Sequence, residues 1–143
     1  MCRERGHVAY LGSILNTLGD ATRAQGDLEA AALAYGESLE ISRRLGEQVG
    51  VAICIEGFAS VAQRRGQMRR AARLYGAAAG IRERVGIPQR PAQRADHEGA
   101  VAATRRQLGE VAFVAAWAAG RRLTVDEAVD EATTGGAADR GGT

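Results

Sequence analysis

The chain has 143 residues, with 19 basic and 17 acidic side chains and a formal net charge of +2. At this length one domain buries roughly 68–70% of its unfolded surface, enough for a core without disulfide or metal support. Every basic residue is arginine, which excludes a Walker A phosphate loop, a Schiff-base lysine and any other lysine chemistry.

Leu11, Leu15 and Leu18, with Ile14 beside them, recur at helical spacing and predict a first helix over about 7–23. Gly26-Asp27 forms a turn. A second helix follows over about 28–45, with Ala31, Tyr35, Leu39 and Ser42 along one stripe, and Gly46 fits a left-handed C-terminal cap. The third helix covers about 47–65, with Val51, Ile55, Phe58 and Ala62 in phase. Gly66 is again the turn. The fourth covers about 68–85 and ends at Gly86, after which Pro88 and Pro91 push their preceding residues out of the α region.

The fifth helix starts near Pro91, since proline is tolerated in a first turn, and runs to about Leu108. It is the most polar, and Arg94 and His97 are expected to face water. The sixth is short, about 110–119, and ends at Gly120. Its Phe113 and Trp117 lie four apart and read as core anchors, as Tyr10, Tyr35 and Tyr75 read as packing residues. Thr124-Val125-Asp126-Glu127 is a capping box, in which a hydroxyl and a carboxylate three residues later satisfy each other's backbone amides. The seventh helix therefore starts at Val125 and is expected to end near Thr133. Residues 135–143 are glycine-rich and are expected to be disordered.

Beneath this order lies a repeat. Gly26, Ala31-Ala32, Tyr35-Gly36, Ile41 and Gly46 return forty positions later as Gly66, Ala71-Ala72, Tyr75-Gly76, Ile81 and Gly86. A fixed period of roughly 20–50 residues marks stacked supersecondary units. The pattern resembles the tetratricopeptide repeat. Leu15, Leu18-Gly19, Gly26, Ala31, Tyr35 and Ser38 occupy its positions in the first unit, and Ile55, Phe58-Ala59, Gly66, Ala71, Tyr75 and Ala78 in the second. The spacing exceeds the family's usual length of about 34 residues and matches a longer variant seen in bacterial regulators. The resemblance implies an all-α fold of antiparallel hairpins stacked as a short right-handed superhelix. The expected layout is two hairpins over 1–86, a helical cap over 87–134 and a tail over 135–143.

Arg73-Leu74-Tyr75-Gly76 with Ile81-Arg82-Glu83-Arg84-Val85-Gly86-Ile87-Pro88 is similar to a recurring C-terminal segment. So is Leu108-Gly109-Glu110-Val111-Ala112-Phe113 with Trp117, Gly120-Arg121 and Thr124-Val125-Asp126-Glu127. Both resemble the C-terminal ends of large ATP-binding, LuxR-type bacterial transcriptional regulators and related predicted ATPases. That resemblance covers most of residues 8 to 132. It implies a sensor and interaction arm without the nucleotide-binding and DNA-binding domains of those regulators, and therefore a protein or peptide partner. No ATPase or DNA-binding activity carries over.

In such hairpins the first helix of each unit lines the binding groove. That projects Ser13, Asn16, Asp20 and Arg23 from the first helix, and Glu56, Ser60, Gln63 and Arg64 from the third, as a partner-binding groove. The bland alternative for these residues is a solvated helix face. Arg64, Arg65, Arg69, Arg70 and Arg73 cluster around one turn and could hold phosphate. The near-zero charge and the lack of interleaved aromatics argue against nucleic acid.

Asp96-His97-Glu98 does not converge, because adjacent helical residues point apart. With only His7 and His97 in the chain a zinc site is disfavoured, and no serine sits in a nucleophile elbow. No catalytic residue, metal or cofactor is expected, and the chain reads as a non-enzyme. Cys2 and Cys54 stand outside any metal or redox spacing and are expected to be free thiols in a reducing cytoplasm. No apolar run reaches the roughly 18 residues of a membrane span. The first helix carries Val8, Leu11, Ile14, Leu15 and Leu18, and one of its flanks has no predicted neighbour. Homodimerisation through that flank is the alternative expectation.

Overall fold

The computed structural model describes the backbone of residues 2–141, and side-chain environments from Gly6 to Thr134. The chain folds into seven helices: α1 (Cys2–Ala24), α2 (Leu28–Leu45), α3 (Gln48–Arg64), α4 (Met68–Val85), α5 (Pro91–Leu108), α6 (Glu110–Arg121) and α7 (Val125–Gly141). There is no strand among the described residues. The all-α class is as the sequence predicts.

The connections explain the local geometry. Gln25–Asp27, Gly46–Glu47 and Arg65–Gln67 are too short for anything but antiparallel neighbours. Asp27 caps α2 by accepting the Ala30 amide at 3.1 Å. Gly46 lies at φ 68 and Gly86 at φ 74, where a Cβ would strain the chain. At Gly46 the amides of Gly46 and Glu47 reach back to the Arg43 and Ser42 carbonyls, which closes α2 in a Schellman turn. The capping box at α7 forms as predicted: Thr124 N–H donates to Glu127 Oε1 at 2.8 Å, and Glu127 N–H to Thr124 Oγ1 at 3.1 Å.

α1 packs on α2, α2 on α3, α3 on α4, and α4 on α6, in one row of five helices. α7 lies along α3 and α4, and α5 lies alongside α4 and α6. The main core runs through the middle of the row, from Ala31, Tyr35 and Leu39 through Ile55 and Phe58 to Leu74, Tyr75 and Ile81. Side chains of this size contribute about 1.5–3 kcal/mol each when fully buried. A smaller cluster of Ala72, Phe113 and Ala116 joins α4 to α6.

The α4–α6 contact depends on absent side chains. A Cβ on Gly120 would collide with the Arg73 carbonyl, and one on Gly76 with the Trp117 carbonyl. α6 therefore lies backbone-close on α4. It continues past Gly120 to Arg121, further than expected, because Gly120 serves this contact and not a helix stop.

Several other expectations are corrected. α1 begins at Cys2, and α7 continues to Gly141, past Thr133. Gly135 and Gly136 lower helix propensity, but no proline or capping side chain stands there to stop the helix. The Cys2 thiol and the Gly142–Thr143 end of the expected tail lie outside the described residues. Tyr10 is exposed and not a packing residue. The arginine cluster is not one surface. Arg64, Arg65 and Arg69 are exposed, while Arg70 is buried and donates from Nη2 to the Ala132 carbonyl at 2.7 Å. Arg73 pairs with Glu131. These two arginines fasten α7 to α4.

Candidate functional site

Two tyrosines organise the site. Tyr35 on α2 and Tyr75 on α4 are both fully buried in their rings, and each points its hydroxyl toward the first helix of its own hairpin. The Tyr35 ring fits because α1 and α3 present glycine to it. A Cβ on Gly19 or on Gly57 would stand 2.6 Å from the ring. The Tyr35 hydroxyl donates to Asp20 Oδ1 and accepts from Arg23 Nε at 3.2 Å. Burial raises its pKa, and the bond to Asp20 raises it further. Burial acts to lower the Arg23 pKa, but the bond to Tyr35 and the neighbouring Asp20 outweigh it, and the net shift is upward.

Tyr75 shows the same geometry forty residues on, with neutral partners. Its hydroxyl lies 3.0 Å from Ser60 Oγ and donates to Gln63 Oε1 at 3.2 Å. Burial raises its pKa as well. The Tyr75 ring and the His97 ring on α5 meet at a near right angle, with centroids 5.4 Å apart at 84°.

Beside the tyrosines lies a largely buried ion pair. Arg82 donates to Glu56 through Nε at 2.7 Å and through Nη2 at 3.0 Å, a bidentate contact. Arg82 also holds the Ile87 carbonyl at 3.2 Å, and Gln89 Nε2 donates to Glu56 at 2.9 Å. The loop to α5 is thereby tied to α3. Deeper in, the Ser38 hydroxyl donates to the Gly12 carbonyl at 2.7 Å, and the Cys54 thiol to Ser38 at 3.3 Å. Asn16 Nδ2 lies 3.8 Å from the Cys54 sulfur. Cys54 is free and buried, and burial pushes its thiol pKa up. A thiol kept protonated is a poor nucleophile, so it reads as structural.

Beside these groups lies a cavity of about 230 Å³. Asn16, Asp20 and Arg23 of α1, Glu56 and Ser60 of α3, and Tyr75 line it, together with Gln89 and with Gln93, Asp96 and His97 of α5. A second cavity of about 320 Å³ adjoins it through Asn16 and Ile53, and carries Ser13, Ser42 and Arg90 on its walls.

Of the eight residues predicted from sequence, five therefore share one cavity: Asn16, Asp20, Arg23, Glu56 and Ser60. Ser13 stands in the adjoining one with Asn16. Gln63 is held behind the Tyr75 hydroxyl. Arg64 is exposed and lines neither cavity.

The sequence reading missed the wall supplied by α5. His97 was expected to face water. It is half-buried, and burial lowers its pKa, which leaves it neutral near pH 7. The missed signal was the period itself. Forty residues beyond Ile53, Glu56, Gly57 and Ser60 stand Gln93, Asp96, His97 and Ala100, all on the cavity wall.

A larger hollow of about 730 Å³ lies elsewhere, along α2 between Leu33, Phe58 and Thr133. It is mostly apolar and holds none of the predicted residues. Among the described residues no group of histidine, cysteine, aspartate and glutamate is placed to hold a metal ion. No helix among them is long and apolar enough to cross a membrane. Comparison with protein-family models, with curated proteins and with solved structures finds no match for this chain.

Proposed function

We propose that the chain is a non-enzymatic protein–protein interaction module of tetratricopeptide type, and that it binds a peptide segment of its partner in the cavity lined by α1, α3 and α5. The observation that carries the reading is the convergence of Asn16, Asp20, Arg23, Glu56 and Ser60 on one hollow. They come from two helices forty residues apart in register. The hollow mixes donors and acceptors of both signs: Asp20, Glu56 and Asp96 against Arg23, with amides at Asn16, Gln89 and Gln93. Such a mixture suits a polypeptide, whose backbone offers N–H and C=O groups at short intervals.

Against catalysis stands the state of the candidate groups. The Glu56 carboxylate is consumed by Arg82, the Cys54 thiol is buried with a raised pKa, and both tyrosine hydroxyls are engaged within the fold. By its resemblance to the ends of LuxR-type regulators, the module is the interaction arm of a bacterial cytoplasmic regulator.

The test is a photo-crosslinking residue at Gln93, on the wall facing α1. Crosslinking in lysate of the source cell, followed by mass spectrometry, should return one peptide sequence. The triple variant Asn16→Ala, Arg23→Ala, Gln63→Ala should reduce that product at least tenfold while its helical circular dichroism is unchanged. An equal yield from the variant would sink the reading.

A further inference from the structure

The row α1–α2–α3–α4–α6 has two ends, and both are apolar. On α1, Leu11, Ile14 and Leu18 are 47–49% exposed, with Val8 beside them. The repeat shows what this flank is built for. Forty positions on, Val51, Cys54 and Phe58 form the same stripe of α3, where they are 1–7% exposed because α2 covers them. The α1 stripe carries the same residue class with no covering helix among the described residues.

At the other end, α6 is apolar all round from Val111 to Gly120. Phe113, Ala116 and Gly120 face α4, while Val111 is 86% and Val114 50% exposed, with Ala115 exposed on the same side. A helix apolar on every side belongs in an interior.

We propose that the exposed α1 flank of one copy docks against the outer face of α6 in a second copy, end to end. The contact continues the row, since each copy sets an exposed apolar helix face against the one the other exposes. The dimensions agree. At about 1.5 Å per residue, the stripe from Val8 to Leu18 is about 15 Å long and α6 about 18 Å. Neither stripe carries a charge, so pairing leaves no ion buried without a partner. An α1-on-α1 pairing would satisfy only one end and leave Val111 and Val114 in water. The association is therefore heterologous, and it grows until it closes or runs on. It does not depend on the peptide-binding reading, because Asn16, Asp20 and Arg23 lie on another side of α1, in the cavity.

The experiment is sedimentation equilibrium of the full chain across a wide concentration range, with two double variants. One carries Leu11→Glu and Ile14→Glu, the other Val111→Glu and Val114→Glu. All four sites are exposed, and circular dichroism checks that each variant keeps its helices; the corresponding glutamine variants replace any that does not. The wild-type chain should reach average masses above a dimer. Each variant alone should remain a monomer, and an equal mixture of the two should give a species of two chains and nothing larger. A monomeric wild type overturns the proposal. So does a dimer that the α6 variant leaves intact, or a mixture that fails to associate.

Discussion

The two hairpins place the same tyrosine at the same point and surround it with opposite chemistry. Tyr35 meets Asp20 and Arg23, whereas Tyr75 meets Ser60 and Gln63, their counterparts forty residues on. One turn away the pattern reverses. The second hairpin holds the ion pair Glu56–Arg82 where the first has Asn16 and Ser42. Each hairpin thus keeps one charged pair and one neutral set, in opposite order. The lesson is that the backbone repeat specifies the sites, while the side chains decide which of them carries charge. Two such units side by side give one cavity with different chemistry at its two ends.

The strongest way to break this comparison is at the buried pair. Glu56→Gln leaves the Arg82 guanidinium without its counter-charge, and the loss should be about 3 kcal/mol of unfolding free energy in urea titrations. Glu56→Gln combined with Arg82→Met, which makes the site neutral as in the first hairpin, should recover part of that loss. A double variant as unstable as the single one would show that the pair acts through packing and not charge.

The ring pockets differ next. Gly19→Ala drives a methyl group into the wedged Tyr35 ring and should cost about 1–3 kcal/mol. The second hairpin already carries alanine there, Ala59, so Ala59→Gly should cost only about 1 kcal/mol through helix propensity. Thermal midpoints of the two variants rank them directly.

The hydroxyls come third. Tyr35→Phe removes a bond to a carboxylate and should cost about 1.5–3 kcal/mol, against about 1 kcal/mol for Tyr75→Phe, whose partners are neutral. Converting the first set into the second with Asp20→Ser and Arg23→Gln should lower the pKa of Tyr35 toward that of Tyr75 in a spectrophotometric titration. Burial remains, so the value should stay above an ordinary tyrosine.

The smallest effect concerns His97. Its folded pKa lies below the ordinary 6.5. In that window the unfolded chain binds more protons, so stability is full above 6.5 and falls as pH drops through the lowered folded value. His97→Gln should remove this component, which a comparison of melting temperatures between pH 7 and pH 5 detects. An unchanged pH slope would mean that the ring is solvated in both states.

Much of the site was legible because a forty-residue period is a strong signal. It located both tyrosines, the glycine caps and five of the residues that converge on the cavity. Arg64 lines neither cavity, and a helical projection good to one turn cannot tell the last groove position from the first solvent position. His97 and the rest of the α5 wall failed because the polar composition of α5 hides its register. The third turn of the period also lacks the marker residues of the first two, with Arg106, Ala115 and Asp126 where they carry glycine, tyrosine and glycine.

Helix content, hairpin connections and capping were local matters. Propensity, glycine at positive φ and the Thr124–Glu127 box set the order of the helices and the turns between them, while the outer ends of α1 and α7 and the stop of α6 escaped them. The placement of α6 on α4, the internal use of Arg70 and Arg73, and the exposure of Tyr10 were decided only in three dimensions. Each depends on which backbones can approach. The missing Cβ atoms of Gly76 and Gly120 allow a contact between helices some forty residues apart in the chain, and no pattern within a single helix encodes its partner.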